Sequence, residues 1–119
     1  MNKFYSLKKN EEFEACIKRG RFAVQEKIVV YSLKNKLAIS RFGISMSSKF
    51  GKATARNRFK RIVRAWILEN IDKIKQGFDV VVIARKMKDD KVKAREIHLN
   101  YFKDDLEKAF KRLRLLKEE

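Results

Sequence analysis

Apolar and polar positions along the 119 residues sort into a small set of elements. Phe13, Cys16 and Ile17 recur at i, i+3 and i+4, the spacing of one helical face. Asn10 stands before them as a predicted N-cap, Glu11 and Glu12 suit the positive helix start, and Gly20 is placed to end the helix. Lys27–Leu33 (K-I-V-V-Y-S-L) is β-branched and aromatic, which predicts a strand. It is apolar on both faces, with Ile28 and Val30 on one and Val29, Tyr31 and Leu33 on the other, so both faces are expected to be covered. After a turn at Lys34–Lys36, Leu37–Ser48 reads as one long strand or two short ones, broken by Gly51. The longest helix is expected over Ala55–Gln76, capped by Thr54 and closed by Gly77. Its stripe is Phe59, Ile62, Val63, Trp66, Ile67, Asn70, Ile71 and Ile74, all apolar except Asn70. Asp79–Arg85 (D-V-V-V-I-A-R) has the continuous apolar run of a buried strand. A last helix is predicted over Ala94–Leu116, with Phe102, Leu106, Ala109, Phe110 and Leu113 inward. The expectation is a single α+β domain over residues 1–119, in the order α-β-β(-β)-α-β-α. The strands flanking the long helix are expected to be parallel neighbours.

Charge adds a region to this outline. The chain carries 31 Lys+Arg against 15 Asp+Glu, a formal +16, while 45% of its residues are hydrophobic, enough for a core. No acid lies between Glu26 and Glu69, and eleven of the 31 cations do, which leaves 20 cations against 15 acids, or +5, elsewhere. The positive field is therefore concentrated mid-chain, and a field of this size draws polyanions, nucleic acid first among them. Anionic membrane would require a basic amphipathic helix with little else around it. Cys16 is the one cysteine, so no internal disulfide is expected, and there is no apolar run of about 18 residues and no signal-like start. A cytoplasmic location is the expectation.

The centre of the positive region is Lys49–Arg64, K-F-G-K-A-T-A-R-N-R-F-K-R-I-V-R. On a helix, Phe59, Ile62, Val63 and Trp66 gather on one side. Asn57, Lys60, Arg61 and Arg64 gather on the other, with Arg56 and Arg58 at the edges. A solvated charged face would interleave glutamates for i,i+4 pairing, and here there are none. Arg56 and Arg58 also fall in the first turn, where a cation opposes the macrodipole at a cost of about 0.3–1 kcal/mol each. A local rule broken without a local gain points to a functional site. Phosphate is the ligand that would repay it, through bidentate guanidinium contacts and the free amides of the helix start.

The same run resembles the signature of the ribonuclease P protein family, K-x-G-x-A-x-x-R-N-R-x-K-R-x-x-R. Each fixed position is met, by Lys49, Gly51, Ala53, Arg56, Asn57, Arg58, Lys60, Arg61 and Arg64. L-K-K-N-E-E-F at Leu7–Phe13, G-I-S-M-S at Gly43–Ser47 and D-V-V-V-I-A-R at Asp79–Arg85 are similar to other family segments, in order and spacing, so the resemblance spans nearly the whole chain. It implies a two-layer α/β sandwich like the second domain of ribosomal protein S5, ordered α-β-β-β-α-β-α, with a left-handed β-α-β crossover. It also implies that the protein has no catalytic side chain, because the catalytic subunit is an RNA that holds Mg²⁺. Carried over by position, the RNA-binding set is Lys49, Arg56, Asn57, Arg58, Lys60, Arg61 and Arg64. Lys9, Phe13, Ile17, Val29 and Tyr31 would line a cleft for the single-stranded 5′ leader of precursor tRNA, where aromatic rings stack on unpaired bases without reading sequence. The implied partners are thus the catalytic RNA and precursor tRNA, with no membrane and no small-molecule substrate. The chain departs from many members at Ile17, where they carry a second aromatic, and at Ser48-Lys49, where they carry two lysines.

Other candidates carry less. His98 has no Cys or carboxylate cluster at ligand spacing, Asp89-Asp90 sits between Lys88 and Lys91 as a loop, and Trp66 and Cys16 fall on apolar faces as core; no metal or cofactor is expected on the protein. Nothing resembles a P-loop, a nucleophile elbow or a paired-carboxylate site. Two rivals are a ribosomal or assembly-type RNA-binding protein, which explains the charge but not the full signature, and a DNA-binding helix-turn-helix protein, which a strand before the basic helix disfavours.

Overall fold

The computed structural model describes residues 4–46, 53–85 and 99–117. Its elements are β1 (Tyr5–Ser6), α1 (Asn10–Arg19), β2 (Arg21–Val24), β3 (Ile28–Lys34), β4 (Arg41–Met46), α2 (Ala53–Glu69), β5 (Phe78–Ala84) and α3 (Leu99–Arg112). The strands form one sheet in the order β1-β4-β5-β3-β2. β4 and β5, joined through α2, are parallel neighbours as expected, and β1 pairs parallel to β4. β3 is antiparallel to both β5 and β2.

The alternation of side chains along β3 and β5 divides the interior in two. Ile28, Val30, Val80 and Val82 point to the face covered by α2 and α3, where Phe59, Trp66, Phe102 and Phe110 fill the main core. Edge-on ring pairs join the two helices, Phe59 to Phe102 at 4.9 Å and Trp66 to Phe110 at 4.8 Å between centroids. Val81, Cys16 and Leu7 form a smaller core on the opposite face, bordered by Phe13, Tyr31, Leu33 and Ile83, where α1 lies. The fold is α+β; β3 is fully buried on the α2/α3 face, while Val29, Tyr31 and Leu33 on the α1 face are only half-buried, so the expected cover on both faces is partial.

Several boundaries differ from the sequence reading, each for a local reason. Lys9, not Asn10, holds the N-cap position of α1, and the start is closed by Glu12, whose carboxylate accepts from the Lys9 and Lys8 amides at 3.0 and 3.2 Å. Gly20 does end α1, donating its N–H to the Cys16 carbonyl at 2.9 Å; a Cβ there would lie 2.3 Å from that oxygen and 2.6 Å from the Ser32 carbonyl oxygen. The third strand before α2 is Arg21–Val24, not a division of Leu37–Ser48, of which only Arg41–Met46 is described as strand. α2 starts at Ala53, which puts Thr54 inside its first turn, and stops at Glu69. Asn70, the polar break in the stripe, turns its side-chain amide back to the Trp66 carbonyl at 2.8 Å. Ile71 and Ile74 remain buried beyond it, so the stripe continues after the helix has ended. Gly77 has φ +93, a conformation that favours glycine. α3 is described from Leu99; Ser48, Lys49, Gly51, Asp89, Asp90 and His98 lie outside the described residues.

Candidate nucleic-acid interface

α2 presents its cations as the periodicity requires. Ala55, Phe59, Ile62, Val63, Trp66 and Ile67 are buried, while Asn57, Arg58, Lys60, Arg61 and Arg64 are exposed and Arg56 is half-buried. No acid occurs in the first turn of α2. Two adjoining hollows of about 300 Å³ each run along the seam between this face and the sheet edge. Arg56, Asn57 and Lys60 face Ile44, Ser45 and Met46 of β4 across the first. Lys60, Arg61 and Arg64 face Phe4, Ser6 and Phe42 across the second. The Arg64 guanidinium lies 5.1 Å from the centroid of the Phe4 ring, which in turn stacks on Phe42 at 5.3 Å. All six described members of the predicted RNA-binding set thus share one helix, and five of them line the two hollows; the seventh, Lys49, lies outside the described residues.

The predicted cleft lies on the opposite face of the sheet. Phe13 rests over Gly43 of β4, where a Cβ would come within 2.4 Å of its ring, so that close seat requires glycine. Tyr31 belongs to the same apolar cluster as Phe13, and Val29 shares its face two residues earlier on β3. Ile17 stands one turn beyond Phe13 and is 39% exposed, and Lys9 is exposed at the N-terminal end of α1, apart from the apolar cluster. The floor is wider than the sequence suggested. Register pairs Phe22 with Tyr31 and Val24 with Val29 across β2 and β3, and Ile83 with Val29 across β5. Phe22 and Val24 are 62% and 46% exposed, and the Phe22 and Tyr31 rings lie 5.9 Å apart. An exposed Phe22 against a half-buried Tyr31, beside apolar side chains, is unusual on a monomer surface and suits stacked bases. Phe4, Phe22, Val24 and Ile83 escaped the sequence reading; Arg21–Val24, which carries two of them, is too short to show a period.

An ionic network fixes α1 against the sheet and so shapes this cleft. Asp79, 7% exposed, accepts from Arg41 Nε at 2.9 Å and Nη2 at 2.8 Å, and from Asn35 Nδ2 at 2.8 Å. Arg41 also pairs with Glu12 of α1. The backbone amides of Lys9 and Lys8, with Arg41 beyond them, hold the Glu12 carboxyl below the usual carboxylate range. The Asp79 hydrogen bonds, with both carboxylates nearby, hold Arg41 more firmly protonated than usual. Burial, reinforced by the negative charge of Asp79, pushes the Cys16 thiol up to about 12, and its Sγ donates to the Asp79 carbonyl at 3.3 Å. Such a thiol is an inert packing group.

Among the described residues no three His, Cys, Asp or Glu side chains group as metal ligands, and no helix is long and apolar enough to cross a membrane. The family model described as Ribonuclease P matches residues 1–114. The ribonuclease P protein component of Clostridioides difficile is 46% identical over 85 residues, covering 71% of this chain and 75% of that protein. The component from Bacillus mycoides is 45% identical over 87 residues, covering 72% and 76%. The RNase P protein of Staphylococcus aureus superposes with a TM-score of 0.81 at 31% identity, over 97% of this chain and all of that one. The RNase P protein of Thermotoga maritima superposes with a TM-score of 0.74 at 36% identity, over 87% and 92%. With a cationic helix that carries no acid before its last residue on one face of the sheet, and a matching family model across nearly its full length, the chain belongs to the ribonuclease P protein family, the protein component of an RNA-containing endoribonuclease in tRNA processing.

Proposed function

We propose that the chain binds the catalytic RNA of ribonuclease P through the cationic face of α2 and the seam against β4, and holds the single-stranded 5′ leader of precursor tRNA on the apolar floor beside α1. The observation that carries this reading is the pairing of two surfaces of opposite character on one sheet. A cationic helix face suits a folded RNA backbone, and an open aromatic floor suits unpaired bases. Arg56, Asn57, Arg58, Lys60, Arg61 and Arg64, with Lys49, meet phosphate oxygens. Phe13, Val29 and Tyr31, joined by Phe22, Val24 and Ile83, make the floor; Ile17 contributes apolar area, and Lys9 lies where it can follow the leader backbone. Scission is the work of the RNA and its Mg²⁺, in the cytoplasm, and the protein adds affinity for the leader-bearing substrate.

Leader contact is separable from tRNA contact by experiment. Phe22→Ala and Tyr31→Ala are expected to weaken binding of a leader-bearing precursor to the reconstituted holoenzyme by about tenfold or more, at about 1–3 kcal/mol per stacked base. Mature tRNA, which lacks the leader, should bind the variants as it binds the wild type. Equal losses for both ligands would remove the leader from this floor.

A further inference from the structure

A second cationic surface lies at the far end of α2, beyond Arg64, the last cation of the strip described above. There the segment after α2 meets the segment after α3. Ile74 and Leu116 form an antiparallel bridge, the Lys75 amide donates to the Leu115 carbonyl at 2.7 Å, and the Lys117 amide donates to the Lys73 carbonyl at 2.7 Å. This pairing sets cations around a cavity of about 530 Å³, lined among the described residues by Lys73, Lys75, Lys111, Arg114 and Lys117 with Glu107 as the one acid. Lys75 and Arg114 also line an adjoining cavity of about 360 Å³, to which Arg19, Arg21 and Lys34 are added and, among the described residues, no acid.

Ordinary helix termination does not account for this excess. The C-terminal ends of two helices carry about −0.5 charge each, and a lysine or two would balance them. Among the described residues, five cations against one acid around the larger cavity go well beyond that need. Arg114 also holds φ 56 just past α3, a left-handed position where glycine is usual and a larger side chain is strained. The Leu115 amide closes the turn onto the Phe110 carbonyl at 2.9 Å, so the turn is well formed around an unfavourable residue. Trp66 also lines the cavity, and its buried indole Nε1 has no hydrogen-bond acceptor among the described residues.

We propose that the joined ends of α2 and the C-terminal segment form a second binding site for RNA phosphates, centred on Lys73, Lys75, Lys111, Arg114 and Lys117 and separate from the α2 face. The inference rests on the RNA partner that the family implies. It makes the protein a bridge between two RNA backbone segments, one along the α2 face and one beyond its end. Exposed Lys73, Lys111, Arg114 and Lys117, with half-buried Lys75, at a concave surface fit a run of phosphates better than a single small anion.

Trp66 is the sole tryptophan, so its indole N–H gives one resonance at the wall of this site. The test is a titration of the ¹⁵N-labelled full chain with a short RNA hairpin, following the Trp66 indole and the Arg61 backbone amide together. Saturable movement of both signals is expected, and in Lys73→Ala/Lys111→Ala/Lys117→Ala the indole should stay while the Arg61 amide still moves. The same triple variant should lower the slope of log affinity against log salt by about 2, at about 0.7–0.9 per lost phosphate contact. Movement of Arg61 alone in the wild type, or a triple variant with the wild-type slope, overturns the second site and leaves the α2 reading intact. If neither signal moves, both readings fall. If phosphatidylserine–phosphatidylcholine vesicles move the indole and the hairpin does not, the surface is for membrane and the RNA assignment is wrong.

Discussion

Lys60→Ala/Arg61→Ala/Arg64→Ala is expected to weaken binding to the catalytic RNA on the order of 100-fold at 0.15 M salt, since charge-assisted contacts are worth about 1 kcal/mol or more each. The slope of log affinity against log salt should fall by about 2–3, because three phosphate contacts no longer release counterions. All three side chains are exposed on the face of α2 away from the core, so the fold should be retained. Filter binding across a salt series with circular dichroism as the folding control measures both quantities. An unchanged slope in a folded variant would mean that the helix carries a solvated charge face and nothing more.

The largest expected stability effect lies on the other side of the sheet. Asp79→Ala removes the carboxylate that takes two hydrogen bonds from Arg41 and one from Asn35, leaving a partly buried guanidinium with Glu12 as its remaining ion-pair partner. The expected loss is about 3 kcal/mol, the lower end of what breaking a buried pair costs, because Arg41 keeps some access to water. Glu12→Ala should cost much less, since Glu12 sits nearer the surface. Urea unfolding of the two variants gives the comparison directly. A smaller loss for Asp79→Ala than for Glu12→Ala would show that the helix start, and not the sheet, anchors this network. Because the network pins α1 above the sheet, leader binding should fall with Asp79→Ala even where the protein remains folded.

Long periodic segments made most of the fold legible. α2 and β5 could be read because an apolar stripe and a continuous valine run leave few alternatives. The parallel pairing of β4 and β5 followed from the helix between them. β1 and β2 could not be read, since two and four residues do not establish a period; both form by pairing with longer strands. The end of α2 was misplaced because burial outlasts the helix: Ile71 and Ile74 keep the stripe while Asn70 turns the backbone. At the site, the cationic strip was visible from the missing acids alone. Phe22 was not, because its importance comes from standing opposite Tyr31 in a pairing that only the folded sheet creates. The Asp79–Arg41–Glu12 network joins residues far apart in sequence and left no local trace. The basic ends of α2 and α3 were hidden for the same reason, since Lys73 and Lys117 meet only through the bridge at Ile74 and Leu116.

The most direct measurement is 5′-leader cleavage of a precursor tRNA at low Mg²⁺ and moderate salt, comparing catalytic RNA alone, this protein alone, and the two together. Efficient cleavage by the mixture, weak cleavage by the RNA alone and none by the protein alone is the predicted result. Cleavage by the protein alone, or a mixture no faster than the RNA, would contradict the account.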